Sequence, residues 1–175
     1  MVQALRYDKE TDVEVHMAKL FVNKELELAY PDSFHVMSEE ERSKLTFIAE
    51  GTGECLSDPE NHAVITIGWK TVNGLASFIL SQKDMAKNME AQIRKPMQSF
   101  GIRTESAGSK NIGWKKGNGF RYHYEAQGIG MYGESYVVKS GKTFYYLHFY
   151  TREETKEQSL PGWEALLASA LWKKD

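Results

Sequence analysis

A chain of 175 residues that is 41% hydrophobic and 26% charged has the make-up of one ordinary globular domain, residues 1–175, which excludes both intrinsic disorder and a coiled coil. The formal charge of -2 supplies no broad electrostatic field for nucleic acid or an anionic membrane, so a charged partner would have to meet a local patch. A single cysteine, Cys55, excludes an internal disulfide and a cysteine-based metal cluster. Residues Met1 to Asp12 are too polar for the apolar core of a signal peptide, and runs such as Leu75 to Leu80 fall far short of the roughly 20 residues that span a bilayer. The expectation is a soluble, cytoplasmic protein without a membrane span, with the case of a trimmed leader left open.

In chain order, the alternation from Val13 to Phe21 resumes after Asn23-Lys24 at Leu26, Leu28 and Tyr30, and predicts an opening β-hairpin that Pro31 ends. Ser38 followed by Glu39, Glu40 and Glu41 predicts a capping box and a short helix. Gly51 to Asn61, rich in turn formers, reads as a surface loop before a central β-branched strand, Ala63 to Trp69. Ser81 predicts a helix N-cap through Asp84. Beyond it Met85, Met89, Ile93, Met97 and Phe100 form one apolar stripe, which Pro96 should kink or divide and Gly101 should stop.

Strand-like runs follow at Arg103 to Glu105, Asn111 to Lys115, Phe120 to Gln127, Met131 to Lys139 and Lys142 to Thr151, with Ser140-Gly141 as a two-residue turn. Pro161 near a helix start, then Trp163, Leu166, Leu167, Ala170 and Leu171, predicts a closing helix finished by Lys173 and Lys174. The fold class is α+β: an antiparallel sheet of opening hairpin and C-terminal meander, packed by a long middle helix and a C-terminal helix.

The motifs that look like chemistry fail on context. Gly128-Ile129-Gly130-Met131-Tyr132-Gly133 matches G-x-G-x-x-G, but a strand pattern follows where a pyrophosphate site needs a helix. Lys116 to His123 partly matches an RNA-binding signature, yet Asn118 stands where a stacking aromatic is wanted and Arg121 where a valine is. Neither a cofactor nor nucleic acid is expected. Cys55 and His62 share an acidic loop that suits neither a reactive thiol nor a preorganised metal site, so no metal and no catalytic residue is assigned. A turn at Gly128-Ile129 would set His123 opposite Glu134, an acid–base pair in principle and an exposed ion pair by the commoner outcome.

The strongest functional pointer is aromatic. Tyr122, Tyr124, Tyr132, Tyr136, Tyr145, Tyr146, Phe149 and Tyr150 crowd the last strands, and alternation divides them between two faces, so a surplus is expected on a partly exposed surface suited to recognition. The candidate binding residues are Tyr122, His123, Tyr124, Glu134, Tyr136, Tyr146, His148 and Tyr150.

The element order resembles the Mog1/PsbP-like group. The likeness is carried by the hairpin running into Tyr30-Pro31-Asp32-Ser33-Phe34, the strand Val64-Ile65-Thr66-Ile67, and the long helix, meander and final helix. Members of that group are mostly noncatalytic proteins that bind other proteins, and no functional residue transfers. The resemblance implies a noncatalytic protein-binding or accessory domain, its partner another protein, with homo-oligomerisation left open. The alternative is a small-molecule or lipid carrier holding its ligand between the Met85, Met89 and Met97 face and the sheet. An enzyme using His123 and Glu134 is the third reading.

Overall fold

The computed structural model describes residues 6–7, 14–45 and 53–173. Val13, Gly51, Thr52 and Lys174, which the sequence assigns to the first strand, the loop and the last helix end, lie outside the described residues.

Strands β1 (Arg6–Tyr7) and β2 (Glu14–Val15) pair antiparallel, and the hairpin β3 (Met17–Val22) and β4 (Leu26–Pro31) follows. Asn23 and Lys24 turn this hairpin with φ of 49° and 57°. Positive φ at both central positions gives the turn the same twist as its strands. After β5 (His35–Val36), helix α1 (Glu39–Ser43) starts on the expected capping box, Ser38 Oγ accepting from Glu41 N and Glu41 Oε2 from Ser38 N.

The predicted loop contains a strand. β6 (Glu54–Asp58) pairs antiparallel with β7 (Ala63–Thr71) across the turn from Pro59 to His62. Its polar composition conceals it because the buried Asp58 is satisfied inside that turn, accepting from Asn61 N at 3.2 Å and Asn61 Nδ2 at 2.8 Å. The apolar run after β7 forms a short helix, α2 (Gly74–Ile79), before α3 (Gln82–Met97). Ser81 caps α3 as expected. Pro96 lies one residue from the helix end, where a 3-10 turn Gln98–Phe100 takes over and Gly101 stops it at φ 66°.

The two runs read at Arg103 and Asn111 are one strand, β8 (Arg103–Ile112), with a bulge between Ser106 and Gly108 and a turn at Gly113-Trp114. Then come β9 (Lys115–Ala126), β10 (Ile129–Ser140) and β11 (Thr143–Arg152). Both later turns sit one residue from their predicted places. Gln127 and Gly128 turn at φ 53° and 77°, and Gly141-Lys142 follows the Ser140–Thr143 pair. A turn at Gly128-Ile129 would demand positive φ of a β-branched isoleucine, which strongly resists it.

Helix α4 (Lys156–Ala168) carries Pro161 inside it rather than at its start, and Leu171 does not extend the stripe but begins β12 (Leu171–Trp172). The sheets are two larger units. β5-β6-β7-β11-β10-β9-β8 form a seven-stranded antiparallel sheet, and the opening hairpin, instead of joining it, takes β12 as a third strand in a sheet of its own.

Helix α4 packs between the two sheets, against β4 on one side and β8 and β11 on the other. Trp163, Leu166 and Leu167 join Leu20, Val22 and Leu28 of the hairpin and Ile65, Ile67, Leu147 and Phe149 of the large sheet in one core. Helix α3 covers the opposite face of the large sheet, over β9 and β10. Only Ala86 and Met97 of α3 are buried, so its seat is incomplete.

Candidate functional site

The strand alternation of the large sheet sorts its side chains into two environments. On the α4 face one rung runs Leu56, Ile65, Phe149, Glu134, Arg121; on the α3 face the adjacent rung runs Cys55, Thr66, His148, Ser135, Phe120.

On the α4 face the buried Glu134 carboxylate accepts from Trp163 Nε1 at 2.8 Å, Tyr136 Oη at 3.2 Å, Arg121 Nε at 3.3 Å and the Tyr132 hydroxyl. Burial alone would raise its pKa, but the hydrogen bonds from Tyr132 and Trp163 and the charges of Lys110 and Arg121 outweigh that and hold it below the ordinary carboxylate value. Trp163 stacks on Phe149 with centroids 5.4 Å apart and on Tyr136 at 6.3 Å, closing the site off. This is a saturated structural knot.

His123 does not pair with Glu134. The observed register sets it opposite Tyr132, and its Nδ1 bonds the Glu153 carboxylate, while Arg121 stands opposite Glu134. The one-position shift of the Gln127-Gly128 turn moves every rung of the hairpin accordingly.

The α3 face is different in kind. His148 is buried there, its Nε2 2.8 Å from the Tyr122 hydroxyl and its Nδ1 bonded to Ser135 Oγ. Burial pushes its pKa down to about 4, so the ring is neutral near neutral pH and bridges the two hydroxyls by donating from one nitrogen and accepting at the other. Tyr122 reaches it because Gly133 opposite has no side chain: a Cβ there would meet Tyr122 Cζ at 2.1 Å. The last glycine of the G-x-G-x-x-G pattern thus makes room for an aromatic ring, and Gly119 does the same for Tyr136, whose Cδ1 would lie 2.5 Å from an added Cβ.

Between this wall and α3 lies a groove of two lobes. A cavity of about 510 Å³ is bounded by Cys55, Trp69, Met85 and Tyr146, and one of about 350 Å³ by Ile93, Met97, Tyr122, Tyr124 and Tyr150. Both share Thr66, Met89, Gln92 and His148, which makes them parts of one recess. It sits where α3 rides on half-buried Met85, Met89 and Ile93 instead of a tight seam. The lining is mostly apolar and aromatic, with Thr66 and Gln92 as polar handles shared by both lobes and Glu54, Lys70 and Asn88 adding polar and charged groups to the larger one. Burial raises the Tyr124 and Tyr146 phenols and takes Tyr150 to about 12, and it raises the Cys55 thiol, so all four are uncharged near neutrality.

Of the residues picked from sequence, Tyr122, Tyr124, Tyr146, His148 and Tyr150 face the groove side, Glu134 and Tyr136 belong to the core knot, and His123 sits at its edge with Glu153. Thr66, Trp69 and Gln92 were missed. Thr66 and Gly68 alternate with Ile65 and Ile67 along β7, and that break between bulky and small or polar positions was the available signal.

No family model matches the sequence, and no curated protein matches it by sequence. Solved structures do match. A Bacteroides thetaiotaomicron protein superposes with a TM-score of 0.58 at 12% identity, over 90% of this chain and 48% of that one, so this chain spans about half its length. LpqN of Mycobacterium tuberculosis, described as involved in cell envelope biogenesis, gives 0.58 at 11% identity over 93% of this chain and 94% of its own. The cyanobacterial PsbP protein CyanoP of Synechocystis gives 0.55 at 9% identity over 96% and 98%. At such identities the likeness is one of fold, and the chain has the Mog1/PsbP-like fold that its element order resembles.

Proposed function

We propose that this chain is a noncatalytic binding domain that holds a small apolar or aromatic ligand in the groove between α3 and the large sheet. One observation carries the reading: the tyrosines and His148 of the meander converge with the methionine stripe of α3 on a single recess, its lobes about 510 and 350 Å³. These volumes are those of small-molecule sites, and methionines adapt to irregular ligands. The recess favours a ligand that enters over a flat partner that lies on top. A protein partner would use the same place by inserting an apolar side chain.

The noncatalytic half rests on how the titratable groups are spent. Both nitrogens of His148 are engaged, Glu134 is saturated, and His123 is tied to Glu153. Displacement of 1-anilinonaphthalene-8-sulfonate by dodecanoate tests the proposal. Wild type should bind both, and Met89→Trp, which fills the junction of the lobes, should weaken both by about tenfold or more. Equal binding by Met89→Trp with an unchanged unfolding midpoint would overturn it.

A further inference from the structure

We propose that α2 is a docking element that sets its apolar face into the interface of an anionic lipid bilayer. Leu75, Phe78 and Ile79 recur at helical spacing on one face and are 74%, 93% and 72% exposed. Their exposure contributes nothing to holding the helix. Asn73 Oδ1 caps it by accepting from Ala76 N at 2.8 Å, Lys139 Nζ donates to the Ser77 and Leu80 carbonyls, and Ser77 Oγ donates to Gly141 O at 3.4 Å. The flanking Val72 and Leu80 pack on the cluster of Ala86, Val137 and Phe144, leaving the three large side chains outward.

The surroundings are basic. Lys142 Nζ lies 3.8 Å from where a Cβ on Gly74 would stand, and Lys139 closes the helix C-terminus. Lys70 is exposed near the end of β7, Lys83 in the first turn of α3, and Lys116 beside Gln82, which donates to its carbonyl at 2.9 Å. Two acids share the region, Asp84, which accepts from Ser81 Oγ at 2.6 Å, and Glu25, which accepts from Ser140 Oγ at 2.8 Å and from the Tyr145 hydroxyl; both keep their charge, and the five lysines outnumber them. On a chain whose formal charge is -2, this is the local patch that an anionic partner would require.

A phenylalanine standing 93% exposed can meet a protein only through a matching pocket, whereas a fluid interface needs no matching shape. Long lysine stems beside it reach lipid phosphates while their methylenes lie along acyl chains. The contact is peripheral: among the described residues no helix is long and apolar enough to cross a membrane. The inference rests on α2 and the lysines around it, of which Lys70 also lines the larger lobe of the groove, whereas Phe78 and Lys142 do not line it.

Sedimentation with vesicles of equimolar phosphatidylglycerol and phosphatidylcholine, against phosphatidylcholine alone, tests it. Wild type should bind the anionic vesicles and lose them at high salt. Phe78→Ser should bind about tenfold less, and Lys142→Ala about fivefold less, with circular dichroism unchanged. Failure of wild type to bind, or binding by both variants at the wild-type level, overturns the proposal. So does a self-associating wild type that Phe78→Ser renders monomeric without any vesicle affinity, which would assign the face to a protein contact.

Discussion

The two faces of the seven-stranded sheet draw on the same strands and nearly the same residue types, yet one is solid and the other hollow. On the α4 face the buried carboxylate is locked: Glu134 has donors from Trp163, Tyr136, Tyr132 and Arg121, and Trp163 stacks on Phe149 and Tyr136 beside it. On the α3 face His148 and Tyr122 are satisfied at the sheet, but α3 stands off on methionines and leaves a recess above them. The difference lies in the covering helix. Indole and leucine side chains of α4 fill the space between two sheets, while α3 covers one sheet with flexible side chains and has solvent behind it.

The largest expected effect tests the solid face. Trp163→Ala removes a fully buried ring and one donor to Glu134, and should cost about 4 kcal/mol, read from the urea midpoint. A loss below about 1 kcal/mol would mean that this face is not the core.

Next in size is the pH response of His148. Its ordinary pKa is 6.5 and its folded value about 4, so between those values the unfolded chain binds the extra proton. Stability should therefore fall by about 3 kcal/mol as pH drops from 6.5 to 4. Glu134, held below its ordinary 4.5, adds a loss only below that value. His148→Gln, which can still donate and accept, should flatten the slope from 6.5 to 4.5, and an unaltered slope would place its origin elsewhere. The smallest effect sharpens the contrast: Met89→Ala, on the hollow face, should cost about 1 kcal/mol or less while enlarging the groove, so probe binding should change more than stability.

Local chemistry was legible in the sequence where it is self-contained. The capping box at Ser38, the N-cap at Ser81 and the Asn23-Lys24 hairpin each depend on a few adjacent residues, and each forms as read. Features decided at a distance were not legible. Strand β6 hides in a turn-rich stretch because Asp58 is satisfied by Asn61, and the hairpin turn shifts because left-handed backbone falls on Gln127 rather than Ile129. The aromatic surplus was visible, but not its division: alternation places Tyr136 and Tyr146 on opposite faces, and only the seat of α3 decides that Tyr146 lines a recess. Helix α2 was visible only as an apolar run, since nothing local tells that Phe78 points outward.

The small sheet also carries a consequence for how the chain is made. Its hairpin emerges early, but Ser169 Oγ, which accepts from Ala29 N at 2.8 Å, comes 140 positions later. At about 5–20 residues per second, synthesis takes roughly ten seconds or more to deliver that partner and β12 beside it. Through that interval Val22, Leu26 and Leu28 lack the α4 side chains that share their core, and the edge of β4 has no strand to pair. Contacts across such a span form slowly, and the hairpin completes its sheet only after β12 has emerged.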